Sequence, residues 1–464
     1  MMVPKQSSLV LPEPVQRMIR ILEKNGFSAY TVGGCVRDSL IGKTPQDWDL
    51  CTSAPPDAVK RCFCGYHVFE TGIRHGTLTI LMDETPCEIT TFRSESFYSD
   101  GRHPDAVTFV SDIATDLKRR DFTINAMAYS PKSGLVDLFG GVQDLSNRLI
   151  RCVGDAGARF QEDALRILRA LRFAADLNFF IEEETEQALQ CSRFGLNEIA
   201  KERIAGELLR ILCGKAAGRI LLQYPAVFAV FLPELFEGPD GAGILPDDWS
   251  ITAKKVDAAA PDKIVRLALL LQGIVVTGEQ DGEEQKAGDK TAVPEQPVHR
   301  ILRRLRLSGD LCFGTEALLK DCRIRLDPAK GTVRRLLSCL GEDRLTRLLM
   351  FKRAQRSVLG DLESSAAIDR FTETLAQLLH TEGRITRERL AFCGQDLLTC
   401  GIPPGRRMGE LLQTLLEAVL DGKVKNQRVQ LQDYFYQNLL TQEEKNDVNL
   451  WRAGPDAAKL PEVW

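Results

Sequence analysis

Tyr30-Thr-Val-Gly-Gly-Cys-Val-Arg-Asp38, followed after a short interval by Asp47-Trp-Asp-Leu50, is the stretch that decides the fold. The β-branched run before the double glycine reads as a strand entering a turn. The residues after it read as a short helix, and the second stretch as a strand carrying two carboxylates. Gly33 and Gly34 lack a Cβ, so their backbone can approach a phosphate closely and offer it N–H groups. A double glycine alone marks only a turn, and the GxGxxG pattern of dinucleotide sites is not met. Asp47 and Asp49 sharpen the reading, because side chains two apart on a strand share a face while Trp48 turns to the other. Two neighbouring anions repel unless a cation lies between them. Mg²⁺ takes carboxylate oxygens together with substrate phosphates, and a pair of such ions can activate an attacking hydroxyl and steady the leaving oxygen. Glu88, between Cys87 and Ile89, is the third acid, expected on a neighbouring strand. An isolated Asp-x-Asp is more often a solvated turn or a helix cap; after a glycine turn and a short helix, metal binding is the better reading.

Outward from this stretch, Ala29–Val32, Gly76–Leu81, Cys87–Phe92 and Val107–Val110 read as strands. From Gln161 onward the apolar period becomes helical, as in Leu165, Leu168, Leu171 and Leu177. Near the other end Met408, Leu411, Leu412, Leu415, Leu416, Val419 and Leu420 form a stripe on one helix face, expected to pack against other helices. Between Thr277 and Pro297 large apolar residues almost vanish, so this segment is expected to be a flexible surface insertion. At roughly 150 residues per domain, a chain of 464 residues holds several.

The net charge of -4 gives no global basic field of the kind that marks many nucleic-acid binders. Regional balance differs: Val298 to Arg335 carries ten basic residues against four acids, an excess that suits phosphate contact. The 13 cysteines lack any CxxC pair, which argues against a zinc ribbon or a disulfide framework. No apolar run approaches the roughly 20 residues of a membrane span, and residues 1–11 lack the core of a secretory signal. The expectation is a reduced, cytoplasmic protein without a membrane partner and with no obligate protein partner evident.

The order of double glycine, Asp-x-Asp and strand acid resembles the nucleotidyltransferase superfamily that includes DNA polymerase beta. Gly33-Gly-Cys-Val-Arg-Asp38 and Asp47-Trp-Asp-Leu-Cys-Thr-Ser-Ala54 narrow the resemblance to the class II tRNA nucleotidyltransferases and bacterial poly(A) polymerases. Arg119-Arg-Asp-Phe-Thr-Ile-Asn-Ala126, Leu135-Val-Asp-Leu-Phe-Gly-Gly141, the stretch from Arg159 to Phe173, and Glu202-Arg-Ile-Ala-Gly-Glu-Leu-Leu-Arg210 follow in family order. The resemblance implies an α+β chain. A polymerase-beta-like catalytic head with a small mixed sheet would span residues 1–150, a helical neck 151–215, a helical body 216–370 and a helical tail 371–464.

It also implies site roles. Gly33, Gly34, Arg37, Arg120, Asp121 and Asn125 would bind the nucleotide. Asp163 and Arg166 would read the incoming base, with Glu162 or Arg169 orienting them. Spacing adds that Asp121 and Asn125 share a face if helical, as do Asp163 and Arg166. Cytosine and adenine each offer an exocyclic amine beside a ring-nitrogen acceptor, which a carboxylate and a guanidinium match. Uracil and guanine reverse that pattern and would leave buried groups unpaired at about 1 to 3 kcal/mol each.

The implied reaction is Mg²⁺-dependent addition of C, C and A to tRNA 3′ ends from CTP and ATP. A-adding enzymes and poly(A) polymerases share this head, and a non-catalytic RNA-binding relative would be expected to lose a paired carboxylate. Residues 390–426, with Gly394-Gln-Asp-Leu-Leu398, Pro404-Gly405 and Asn426, resemble the tail of CCA-adding enzymes, although Arg406 stands where that tail usually carries Pro. Ser94 to Ala106 has the polar character of the loop that CC-adding enzymes lack.

Overall fold

The computed structural model describes residues 9–96, 106–236, 246–277, 297–360 and 362–440. The expected insertion at 277–297 lies almost wholly outside these residues, and so does most of the loop Ser94–Ala106. The chain divides into two compact units, residues 1–257 with 270–312, and residues 258–269 with 313–464.

In the first unit the strands around the site alternate with short helices: β1 Ala29–Val32, β2 Asp49–Thr52, β3 His67–Phe69, β4 Thr77–Met82, β5 Thr85–Thr91, β6 Arg93–Ser96, β7 Ala106–Phe109, β8 Met127–Ser130 and β9 Gly134–Asp137. Seven build one sheet in the order β3-β4-β5-β2-β1-β8-β9, and β6 and β7 form a separate hairpin. The sheet is mixed: β2 and β5 run parallel, while the other pairs are antiparallel. Helix Glu13–Lys24 buries Val15, Met18, Ile19 and Leu22, an i, i+3, i+4, i+7 set that defines one face. Near the hairpin root Val32, Cys51, Phe92, Leu117 and Ala128 form a core cluster. Phe92 is fully buried there, so truncating it to Ala would cost about 3–5 kcal/mol.

All four strands read from the sequence are present to within a residue or two at each end. Strands β3, β6, β8 and β9 went unread, β6 because the polar run from Ser94 reads as the following loop. In β8 every residue is buried, so no polar alternation marks it. One boundary differs instructively: Asp47 lies in a bend, and β2 begins only at Asp49. The alternation survives the bend, because Asp47 and Asp49 are exposed while Trp48 is 8% exposed. Beyond β9, helices Leu165–Leu177 and Lys201–Cys213 pack together, their buried residues recurring at helical spacing.

The second unit contains helices Lys330–Leu340, Glu342–Leu359, Leu362–Thr381, Arg406–Leu420 and Arg428–Asn438. The apolar stripe read from the sequence is the inner face of Arg406–Leu420. Leu411, Leu415, Leu416, Val419 and Leu420 are buried with Phe392, Leu397, Leu431 and Phe435, and Met408 and Leu412 pack at the edge. Asp396 accepts from the Cys393 N–H at 2.7 Å to cap the helix that begins at Gly394, and it also takes a bond from Arg428 at 2.5 Å. Asn426 accepts from the Ala391 N–H at 2.8 Å and donates to the Arg389 carbonyl at 2.9 Å.

Candidate functional site

Gly33 ends β1 with φ 81° and ψ -127°, a conformation that glycine adopts without strain. A Cβ there would lie 3.2 Å from Arg120 Nη1, so the glycine also lets that guanidinium approach the turn. The Gly33 N–H is not available to a phosphate, since it donates to the Met127 carbonyl at 3.2 Å. Helix Gly34–Leu40 starts from this turn.

Across the sheet, Asp49 and Glu88 are register partners in the parallel β2–β5 ladder, which places both side chains on one face. Asp47, Asp49 and Glu88 are all exposed, and among the described residues none of them is ion-paired. Surrounding protein desolvates Asp49, and the carboxylates of Glu88 and Asp47 act in the same direction; together they push its carboxyl above the usual range against an opposing pull from Arg120. Self-repulsion of this kind is what a divalent cation relieves, and the donors are all hard oxygens, which suits Mg²⁺ rather than a soft metal. Among the described residues no three acid, His or Cys groups converge into a complete cage. An ion held here would therefore need substrate oxygens as well.

The second group of residues hangs from Arg119–Ala126. The sequence left open a helical face for Asp121 and Asn125. The backbone instead forms a short 3₁₀ turn at Thr123–Asn125, yet the two side chains still meet, Asn125 Nδ2 donating to Asp121 Oδ1 at 3.2 Å. Asp121 also accepts from the Phe122 N–H at 2.8 Å and from Arg169 Nε and Nη2 at 2.9 and 2.6 Å. Burial would raise its carboxyl, but the Arg169 ion pair and these hydrogen bonds hold it down at about 2. Arg37 Nη1 donates to Asn125 Oδ1 at 2.7 Å, which ties the helix after the glycine turn to the same network. Arg37, Arg169 and Arg172 all lie over the ring of Phe173, at 5.2, 5.7 and 4.1 Å from its centroid. Face-on packing against an aromatic ring offsets part of the mutual repulsion of three guanidinium groups.

For the base-reading pair the structure departs from the spacing argument. Asp163 is not helical: it has φ -148° and ψ 103°, at the junction between helices Ala156–Glu162 and Leu165–Leu177. Its carboxylate accepts from the Leu165 N–H at 3.0 Å and from Arg203 Nη2 at 2.7 Å. Arg166, 8% exposed, donates to Glu162 at 2.5 Å and to the Arg159 carbonyl at 3.1 Å. Both groups are thus satisfied within the protein, and Glu162 and Arg169 are each a direct partner of a site residue.

Two further residues were not singled out in the sequence. Asp116, fully buried, accepts from the Arg93 N–H at 3.2 Å, from Arg119 at 2.7 Å and from Arg120 at 3.3 Å. It thereby holds both arginines of the Arg119-Arg-Asp121 motif and the root of β6. Arg203 lies in the quoted Glu202–Arg210 motif, but no spacing rule could place it against a carboxylate forty residues away. The basic stretch 298–335 is more self-paired than its charge implied. Arg304 pairs with Glu234, Arg306 with Glu202, Arg334 with Glu382, and Arg335 with Asp421.

Residues 29–151 match the poly A polymerase head domain, and residues 290–435 match the tRNA nucleotidyltransferase domain 2 family. Residues 178–237 match a model described as "Probable RNA and SrmB- binding site of polymerase A". The chain is similar to the CCA-adding enzyme of Levilactobacillus brevis, 37% identical over 90% of this chain and 95% of that protein. It is 34% identical to the CCA-adding enzyme of Enterococcus faecalis, over 89% and 92% of the two chains. Among solved structures, the Bacillus stearothermophilus CCA-adding enzyme in complex with CTP is similar with a TM-score of 0.67 and 28% identity, covering 95% of this chain and 99% of that one. The Thermotoga maritima enzyme complexed with tRNA shares the fold, with a TM-score of 0.53 at 20% identity.

Proposed function

The chain belongs to the family of CCA-adding enzymes, and from that premise we propose how its own residues carry out the addition of C, C and A to tRNA 3′ ends. It is a nucleotidyltransferase that uses CTP and ATP and releases pyrophosphate. Enzymes of this class use divalent metal ions; here the ion is Mg²⁺, held by Asp47 and Asp49 with Glu88 as the third acid of the face. The observation that carries this reading is the register of β2 against β5, which sets Glu88 beside Asp49 while all three acids are open to solvent and, among the described residues, unpaired. When bound, the metal supplies positive charge at the α-phosphate and a more acidic terminal hydroxyl.

The rest is positioning and electrostatics. Gly33 and Gly34 keep the turn low enough for a triphosphate to pass, and Arg120 stands beside that turn to meet phosphate charge. Asp121 and Asn125 present oxygen and amide groups toward a ribose, with Arg169 and Arg37 fixing their orientation. Asp163 accepts the exocyclic amine of cytosine or adenine while Arg166 turns from Glu162 to donate to the ring nitrogen. UTP and GTP would leave these groups unpaired. The division into head 1–150, neck 151–215, body 216–370 and tail 371–464 is proposed on the same basis. Among the described residues no helix is long and apolar enough to cross a membrane. All thirteen cysteines are free, which supports a reducing, cytoplasmic setting.

The test is to offer the purified protein tRNA transcripts ending before CCA, with Mg²⁺ and each nucleoside triphosphate, and to sequence the 3′ ends. Stepwise CCA is expected. Single A addition only to transcripts already ending in CC, or long A tracts on unrelated RNA, would refute the reading.

A further inference from the structure

Phe173 stands behind the Asp121–Asn125 network and brings no polar atom to it. It projects from helix Leu165–Leu177, is buried, and packs edge-on against Phe122, with the ring centroids 5.8 Å apart at 81°. Arg37 and Arg169 lie over its ring at 5.2 and 5.7 Å. These are the two guanidinium groups that hold the ribose-facing pair. Arg37 Nη1 donates to Asn125 Oδ1 at 2.7 Å, and Arg169 Nε and Nη2 donate to Asp121 Oδ2 at 2.9 and 2.6 Å. Arg172 lies nearest the ring, at 4.1 Å. Charge is balanced here without the ring, since Arg37 pairs with Asp38 at 2.9 Å, Arg169 with Asp121 at 2.6 Å and Arg172 with Glu207 at 2.8 Å. A carboxylate, however, holds only one edge of a guanidinium, which can still tilt about that edge. The negative face of an aromatic ring attracts the whole planar cation and so supplies the missing constraint.

We infer that Phe173 is a positioning residue for sugar recognition: its ring sets the planes of Arg37 and Arg169, and through them the Asn125 amide and the Asp121 carboxylate that meet the ribose hydroxyls. The inference rests on Asp121 and Asn125 being ribose ligands, as proposed above. It separates sugar selectivity from base selectivity. Asp163 and Arg166 are held by Arg203 and Glu162 instead, so the choice of base should not depend on the ring.

The experiment uses full-length protein in two forms of perturbation. One is Phe173→Leu. The other replaces Phe173 in turn by mono-, di- and trifluorophenylalanine, because fluorine draws electron density off the ring face while scarcely changing the ring's size. For each protein, kcat and KM are measured for CTP, dCTP and UTP on tRNA transcripts ending before CCA. The preference for CTP over dCTP is expected to fall step by step with the number of fluorines. In Phe173→Leu it should fall roughly tenfold in kcat/KM, the value of a largely desolvated cation–π contact. The loss should be carried by the CTP KM rather than kcat, and the preference for CTP over UTP should hold. A flat fluorine series, with the wild-type sugar preference intact, would overturn the inference even if Phe173→Leu failed to fold, since a space-filling ring is indifferent to its face charge. An equal loss of CTP-over-UTP preference would assign the ring to general packing and overturn it too. Wild-type protein that used CTP and dCTP equally well would instead overturn the ribose reading beneath it.

Discussion

Two sets of carboxylates in the first unit are the same chemical group in opposite circumstances. Asp47, Asp49 and Glu88 are exposed, mutually repelling and unpaired among the described residues. Asp121 and Asp163 are enclosed and already matched, to Arg169 and Arg203. The first arrangement is incomplete by itself and waits for a cation. The second is complete by itself and can act on a substrate only by adding a partner or exchanging one. The contrast separates a group that supplies charge to the chemistry from groups that supply shape, and predicts that mutations will cost activity in the first place and stability or selectivity in the second.

The sharpest way to break the comparison is Asp49→Ala. Losing the proposed metal ligand should remove several kcal/mol of transition-state stabilisation, about 10³-fold in single-turnover CMP incorporation. The melting temperature should stay level or rise, because a repelling carboxylate has gone. A folded variant that kept wild-type incorporation would end the metal assignment.

Asp121→Ala should behave in the opposite sense, costing stability first. Removing one partner of a buried ion pair costs about 3–5 kcal/mol; Arg169 is partly exposed, so about 2–3 is expected in a denaturant melt. The pH dependence follows from the same pair. The Asp121 carboxyl falls from its ordinary 3.8 to about 2 on folding, so its contribution is full above about pH 4 and is lost as pH drops toward 2. The stability gap between wild type and Asp121→Ala should therefore narrow over that window. A gap that stayed constant would show that the ion pair is not its source.

Asp163→Asn should leave incorporation of CTP measurable but narrow its advantage over UTP by about ten- to a hundredfold in kcat/KM, the value of one or two unpaired buried groups. Unchanged selectivity would refute base reading by this residue. Smallest of all, Arg203→Lys keeps the charge but loses the guanidinium fork that holds Asp163, and should cost less than tenfold in the same ratio. An effect as large as that of Asp163→Asn would mean Arg203 itself touches the base.

Much of the head was legible because its signals are local. Glycine conformational freedom marks the turn at Gly33, and the two-residue period of a strand marks Asp47, Trp48 and Asp49 even though the first of them lies in a bend. The helix of Arg406–Leu420 was legible for the same reason, since its apolar stripe encodes its buried face. Strand β8 was not, because a fully buried strand has no alternation to read. Asp163 misled: its spacing to Arg166 fits one helix, but the carboxylate takes the Leu165 N–H and breaks the helix there, competition of the kind that makes Asp a capping residue.

The sequence by itself determined the motifs, their order and the chemical identity of each group, since covalent structure and short-range period are contained in it. Only the tertiary structure decided partnership: Glu88 beside Asp49, Arg169 and Asn125 on Asp121, Arg203 on Asp163, and Asp116 between two arginines. These pairings join residues from 3 to 48 positions apart, and electrostatic interactions fall with distance in space, which residue spacing does not record once the chain has turned back on itself.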